Sequence, residues 1–255
     1  MITSLQNSKV KEVVLLGTKS RERRARGLFV IEGRREFERA VAAGYEAAEI
    51  FVLEGTPAPE GFEAEYVSEA VYEKMAYRES TEGLVAVMKA KETSLADLRT
   101  SGSPLVIVLE SVEKPGNLGA VLRSADAAGA DAVIVCDPLT DLYNPNLIRA
   151  SLGAAFSVPV AACSSEEAYS WLKSRGISIL TAQLQDSELY YETDMVRPTA
   201  IVFGTEDRGL SDFWRERSDA RIRIPMAGMM DSLNVSVSVA ILTFEAVRQR
   251  NSNSR

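Results

Sequence analysis

The 255-residue sequence predicts an α/β protein: a mostly parallel sheet with helices on both faces, preceded by a smaller α/β module. Three observations carry that expectation. Runs at 104–110, 131–136, 177–182 and 199–204 are short, β-branched and apolar along their length, as strands buried on both sheet faces must be. Helical stretches at 117–129, 144–156 and 164–176 lie between them, and such alternation builds parallel sheets. Ahead of these, KETSLADLRTSGSP (91–104) turns polar and ends in Gly-Ser-Pro, which marks a boundary. The expected organisation is a first domain over 1–92, a linker over 93–103 and a second domain over 104–255.

Within the first domain, REFERAVAAG (35–44) reads as a helix, AEIFVLE (48–54) as a strand, SEAVYEKMA (68–76) as a helix and GLVAVMKA (83–90) as a strand. The final segment is ambiguous. NVSVSVA alternates at period two, which favours a strand, but AILTFEAVRQR continues it with helical spacing. It ends in Arg248 and Arg250, favourable at a helix C-terminus, so a helix over about 233–249 is expected. Val239, Leu242 and Phe244 should bury against the sheet or a partner.

Composition narrows the chemistry. The chain is 46% hydrophobic and 25% charged, which is ordinary for a globular protein with a full core. No apolar block suits a signal peptide or membrane span, so a cytoplasmic location without membrane contact is expected. Histidine is absent, which removes Ser-His-Asp and Cys-His catalysis and histidine metal sites. Cys136 and Cys163 are too few for a thiolate cluster and read as small core residues; no metal is expected.

Charge is unevenly spread. Residues 1–40 hold ten Lys and Arg against five Glu, a balance of +5, so the rest carries −12 of the net −7. Lys9, Lys19, Arg21, Arg23, Arg24 and Arg26 therefore form a candidate RNA-binding arm, because clustered cations gain by releasing counterions from phosphates. The alternative for KSRERRAR is a solvated helix face.

Parallel sheets bind ligands beyond the carboxyl ends of their strands. Three loops stand there: ESVEKPGNLGAVLRSADAAG, FGTEDRGLS, and the stretch after IRIPM. Taken singly, Asn117 is a helix cap or a site residue, Arg123 a surface arginine or a site residue, and Ser232 a cap for the last helix or part of a site. Met226, Met229 and Met230 fill core or wall a slot. No G-x-G-x-x-G or P-loop occurs, which weakens a dinucleotide-dependent oxidoreductase or a nucleoside triphosphatase.

GNLGAVLRSADAAGA, VFGTEDRGLS and IPMAGMMDSLNVSVSVA resemble, in order and spacing, the three motifs of the TrmH (SpoU) branch of the SPOUT RNA methyltransferases. The likeness covers about 104–250, and SKVKEVVLLGTKSRERRARGLFVIEG is more loosely similar to the family's smaller substrate-binding domain. The resemblance implies a C-terminal trefoil knot, a homodimer formed through the C-terminal domain, and methyl transfer from S-adenosyl-L-methionine to a ribose 2′-hydroxyl. By position, Gly204, Ile224, Leu233 and Ala182 should meet the cofactor, while Asn117, Arg123, Glu206, Ser232 and Asn234 match the active-site set. The additional N-terminal module favours rRNA over tRNA as partner.

Chemistry suits these residue types. Main-chain cradling calls for close approach at Gly204 and Gly228, and Ile224, Met226 and Leu233 can wall an adenine slot. A guanidinium rarely surrenders a proton, so Arg123 either acts as base or stabilises a developing alkoxide, with Glu206 the competing base. A noncatalytic RNA-binding protein of the same fold is the rival reading, for which eroded motif loops would be expected.

Overall fold

The computed structural model describes residues 1–76, 82–91 and 93–253; position 92, where the sequence places the end of the first domain, lies outside them. These residues form two compact units, Met1–Glu92 with Asp141–Ser157, and Thr93–Thr140 with Val158–Arg255.

The first unit opens with α1 (Ser8–Thr18), capped by Asn7, whose side chain accepts the Lys9 N–H at 2.9 Å. Its Val10, Val13 and Leu16 recur every three residues and are fully buried, giving the helix one apolar face. Next come α2 (Ser20–Arg26), closed by left-handed Gly27, β1 (Leu28–Glu32), α3 (Arg34–Ala42), β2 (Ala47–Leu53), β3 (Glu65–Val67), α4 (Glu69–Met75) and β4 (Leu84–Lys89). The sheet order is β1-β4-β2-β3, with β4 antiparallel to both neighbours and β2 parallel to β3. Alternate strand residues feed two cores. Val30, Phe51, Val67, Val85 and Val87 join the residues of α1 and α4. Phe29, Ile31, Ile50, Val52, Leu84, Ala86 and Met88 join Phe37, Ile148 and Phe156.

The second unit begins with β5 (Leu105–Glu110), α5 (Pro115–Ala128) and β6 (Ala132–Cys136). The chain then supplies the first unit with α6 (Pro145–Ser151) and α7 (Ala154–Ser157), before β7 (Val160–Cys163), α8 (Ser165–Ser174), β8 (Ser178–Ala182), β9 (Glu188–Leu189), β10 (Thr199–Phe203), α9 (Asp212–Arg217), β11 (Ala220–Arg223) and α10 (Val235–Asn253). The order β7-β6-β5-β10-β8-β11-β9 is parallel at every pairing. Both faces of the sheet are covered. Val106, Val108 and Ile134 share a core with Trp171 and Leu172 of α8 and Trp214 of α9. Their neighbours Ile107, Leu109 and Val133 are fully buried too, and α5 and α10 pack together, α10 against β5 and β10 and α5 against β6. No described helix is long and apolar enough to cross a membrane.

Two expectations change. Residues 144–156 form two helices, not one, because Leu152 (φ 52°) and Gly153 (φ 88°) turn left-handed. Arg39 donates to the Leu152 carbonyl at 2.9 Å, and a Cβ on Gly153 would lie 2.5 Å from Arg39 Cδ. The segment expected to be a linker is packed: Leu98 is buried with the second core, Leu95 lies against it, and Thr93 donates to the Val160 carbonyl at 2.6 Å. The last segment is indeed a helix, yet Phe244 stays 46% exposed while Val239 and Leu242 are fully buried. Helix wins over strand there because Asn234 caps it, its Oδ1 accepting the Ser236 N–H at 3.0 Å and hydroxyl at 2.6 Å.

Candidate active site

Parallel strands deliver their following loops to one edge. The loop after β10 closes on itself, with Thr205 and Gly209 exchanging N–H···O bonds of 3.1 and 3.0 Å. Glycine is required at 204 because a Cβ would sit 2.1 Å from the Gly209 carbonyl carbon. Buried Glu110, at the end of β5, fixes the far side by accepting the Ser211 N–H at 2.8 Å and hydroxyl at 2.5 Å.

This loop carries Glu206 to the first turns of α5 and α10. Glu206 Oε1 accepts the Asn117 amide at 2.9 Å and the Asn234 amide at 2.5 Å, while Oε2 accepts Lys114 Nζ at 2.5 Å. The Asn234 Nδ2 also lies 3.2 Å from Asn117 Oδ1. Because Asn234 Oδ1 caps α10, its Nδ2 has to face Glu206, so one side chain serves both purposes. The Lys114 ammonium holds the Glu206 carboxyl below its ordinary range, helped by Asn117 and the Val235 N–H and opposed by partial desolvation. Glu206 is therefore an anion throughout the neutral range and an anchor for two carboxamides, a poor choice of base.

Beside the cluster lies a cavity of about 390 Å³, wholly within the second unit. Ala182, Gly204, Ile224, Met226 and Leu233 all line it, as do Glu206 and Ser232. Phe203, Leu210, Ile222 and Leu242 complete an apolar wall, a size and character suited to a nucleoside-sized ligand. Ser232 is exposed at the lining and does not cap α10. Arg123 is exposed on α5, neither lines the cavity nor makes a hydrogen bond or ion pair with a described residue, and is not brought to the cluster within one chain. Met229 and Met230, at 103% and 69% exposure, lie outside both core and cavity, so within one chain they take neither of the places the sequence offered them. Gly228 has no protein atom within 4 Å of a built Cβ and does not line the cavity, so no contact within the chain calls for glycine there. Sequence patterns overlook Lys114 and Glu110: Lys114 stands just before the Pro-Gly-Asn helix start, a readable signal, whereas Glu110 looks like any strand-end acid.

Half of the basic arm is spoken for. Arg23 is buried and belongs to the fold: its Nε meets Asp141 Oδ2 at 2.6 Å and its Nη1 the Leu16 carbonyl at 2.6 Å. That corrects its place in the RNA-binding set, since a guanidinium sealed in this way cannot reach a phosphate. Lys9 pairs with Glu49 at 3.1 Å and with Glu65, and Arg26 with Glu12 at 2.8 Å and Glu22 at 3.3 Å. Lys19, Arg21 and Arg24 remain exposed without an ion pair to a described residue. Among the described residues no group of three or more His, Cys, Asp or Glu is placed to hold a metal ion.

Residues 104–244 match the profile of the SpoU rRNA Methylase family, and residues 7–86 that of the MRM3-like substrate binding domain. The chain belongs to the SpoU rRNA methylase family. Among relatives of this SpoU chain, the 23S rRNA (guanosine(2553)-2′-O)-methyltransferase of Bacillus subtilis is 32% identical, covering 95% of this chain and 97% of its own. A crystal structure of an RNA 2′-O ribose methyltransferase superposes with TM-score 0.86 at 43% identity, covering 98% of this chain and 99% of that one. The SpoU methyltransferase AviRb of Streptomyces viridochromogenes, in complex with the cofactor AdoMet, gives TM-score 0.89 at 27% identity, with 96% and 100% covered.

Proposed function

We propose that this SpoU chain is an S-adenosylmethionine-dependent methyltransferase acting on a ribose 2′-hydroxyl of ribosomal RNA. The observation that carries the reading is the Asn117–Glu206–Asn234 cluster at a cavity whose lining holds all five residues matched to the cofactor. The cavity fits that group: Ile222, Ile224, Met226 and Leu233 give it an apolar stretch suited to a base, and polar side chains line the rest. S-adenosylmethionine, when bound, supplies a methyl group activated on a sulfonium. Backbone groups of Gly204, Ile224 and Leu233 would hold it, with Met226 against the adenine and Ala182 beside it.

The protein's task is then chiefly alignment. Glu206, kept ionised by Lys114, locks the two carboxamides, and Asn117, Asn234 and Ser232 orient the ribose. Arg123 stabilises charge developing on the 2′-oxygen, with the hydroxyl proton leaving late to water. Because Arg123 stands apart from the cluster in one chain, the reading includes a homodimer through the C-terminal unit; Val237 and Phe244, 46% exposed on α10, supply apolar surface for it. A trefoil knot in the second unit, a cytoplasmic setting, and RNA contact through Lys19, Arg21 and Arg24 belong to the same proposal.

The test is a map of ribose methylation in RNA from cells with and without the gene. One rRNA 2′-O-methyl group should vanish on deletion and return with wild type but not with Asn234→Ala. An unchanged map overturns the reading.

A further inference from the structure

We infer that Arg215 and Arg223 form an oxyanion-binding end of the cavity, assigned to the carboxylate of the cofactor's amino-acid group, with Gln183 taking a proton donor beside it. The inference rests on the proposed cofactor and concerns residues outside the three motif-derived sets.

Both arginines line the cavity and both are half-buried. Neither side chain makes a hydrogen bond or ion pair with a described residue. The bonds at Arg215 are to its backbone, whose carbonyl accepts Arg221 Nε at 3.2 Å and Nη2 at 3.0 Å and the Ser218 hydroxyl at 3.3 Å, and whose N–H reaches the Ser211 carbonyl at 3.2 Å. Its Nε is sealed from solvent without a partner. Its Nη2 lies 3.4 Å from where a Cβ on Gly209 would stand, beside the closed 205–209 loop. The carboxylates that share the lining do not answer this charge. Glu206 is committed to Lys114 and two amides, and Asp207 pairs with Arg208 at 3.5 Å. Asp231 is exposed and forms an ion pair with neither arginine. Gln183 adds the complementary feature: its Oε1 is buried without a partner while its Nε2 donates to the Gln185 carbonyl at 2.9 Å.

Buried polar atoms in folded proteins are nearly always bonded, so unmet donors and an unmet acceptor in the lining of one cavity mark ligand positions. Unanswered guanidinium nitrogens want an oxyanion, for which arginine offers a planar fork. An unmet amide oxygen wants an N–H. A zwitterionic α-amino carboxylate carries both. The nucleoside end of the same ligand would take the apolar wall formed by Ile224, Met226 and Leu233.

The test is calorimetry on the full chain with three probes: S-adenosylmethionine, its decarboxylated form, and 5′-methylthioadenosine, which lacks the amino-acid end. Wild type should bind S-adenosylmethionine at least about tenfold more tightly than the decarboxylated form, since a bond to a charged group is worth that much. Arg215→Gln and Arg223→Gln should each weaken S-adenosylmethionine by a similar factor and leave methylthioadenosine unchanged, at unaltered melting temperature. Equal wild-type affinity for the carboxylated and decarboxylated probes overturns the inference, and that arm needs no variant to fold. So does parallel loss of methylthioadenosine affinity in the variants, which indicates a structural role, or unchanged S-adenosylmethionine affinity with weakened RNA retention on filters, which moves the oxyanion to an RNA phosphate. Absence of binding by any probe to wild type removes the cofactor reading itself, a separate outcome.

Discussion

The two units treat positive charge in opposite ways. In the first, half of the residues that look like an RNA grip are consumed by the fold: Arg23 is sealed against Asp141, and Lys9 and Arg26 are each held by two acids. In the second, which is the more acidic by sequence, Arg215 and Arg223 stand unanswered on a cavity wall. Charge density along a chain therefore says little about which cations meet a ligand. What decides it is whether an acid elsewhere in the fold has already answered them.

The largest expected effect probes the consumed charge. Arg23→Met should destabilise the protein by about 3–5 kcal/mol in denaturant unfolding, because Asp141 is left buried and unpaired. Replacing both partners together, Arg23→Met with Asp141→Leu, should recover most of that loss. If Arg23→Met unfolds like wild type and only RNA binding falls, the contrast between the units fails.

Next comes the site itself. Asn234→Ala removes the cap of α10 and a ligand of Glu206 together, and methyl transfer should fall roughly a hundredfold, the scale of an ångström of misalignment. Asn234→Asp keeps the cap but sets a second carboxylate against Glu206, and should be no better in single-turnover rate.

A third measurement sharpens the comparison within the first unit. Neutralising Lys19, Arg21 and Arg24 together should lower RNA affinity and reduce the slope of log affinity against log salt by about three, one for each phosphate no longer neutralised. Arg26→Gln should change that slope least, its charge already being met by Glu12 and Glu22.

The smallest effect expected is on pH dependence. The Glu206 carboxyl is depressed in the folded state, so its stabilisation is present above the unfolded carboxyl's titration and is lost only as pH falls through the folded value. The rate should carry no Glu206 inflection between about pH 6 and 9, well above the carboxylate range. An inflection in that window abolished by Glu206→Gln would restore Glu206 as the base.

Much of this is legible in the sequence. The four apolar strands of the second unit and its loop motifs announce themselves, since a strand buried on both faces must be apolar throughout and every following loop must reach the same edge. Asn117, Glu206 and Asn234 meet as their motifs imply. What escapes a sequence reading depends on partners distant in the chain. Arg23 reads as surface until Asp141, 118 positions away, is seen against it. The break at Leu152 is tied to Arg39, and the exposure of Met229 and Met230 to a loop whose path no local pattern encodes. Gly204 invites an explanation by cofactor approach, yet what requires it is the loop's own backbone at Gly209.

The excursion of 141–157 into the first unit bears on how the molecule can be divided. Because that stretch interrupts the second unit between β6 and β7, no single cut yields two intact halves. A truncation beginning at 93 would strip Ile148 and Phe156 of their companions and leave a greasy, unsupported flap on the surviving fragment. Such a fragment is set to precipitate unless the excursion is replaced by a short polar bridge.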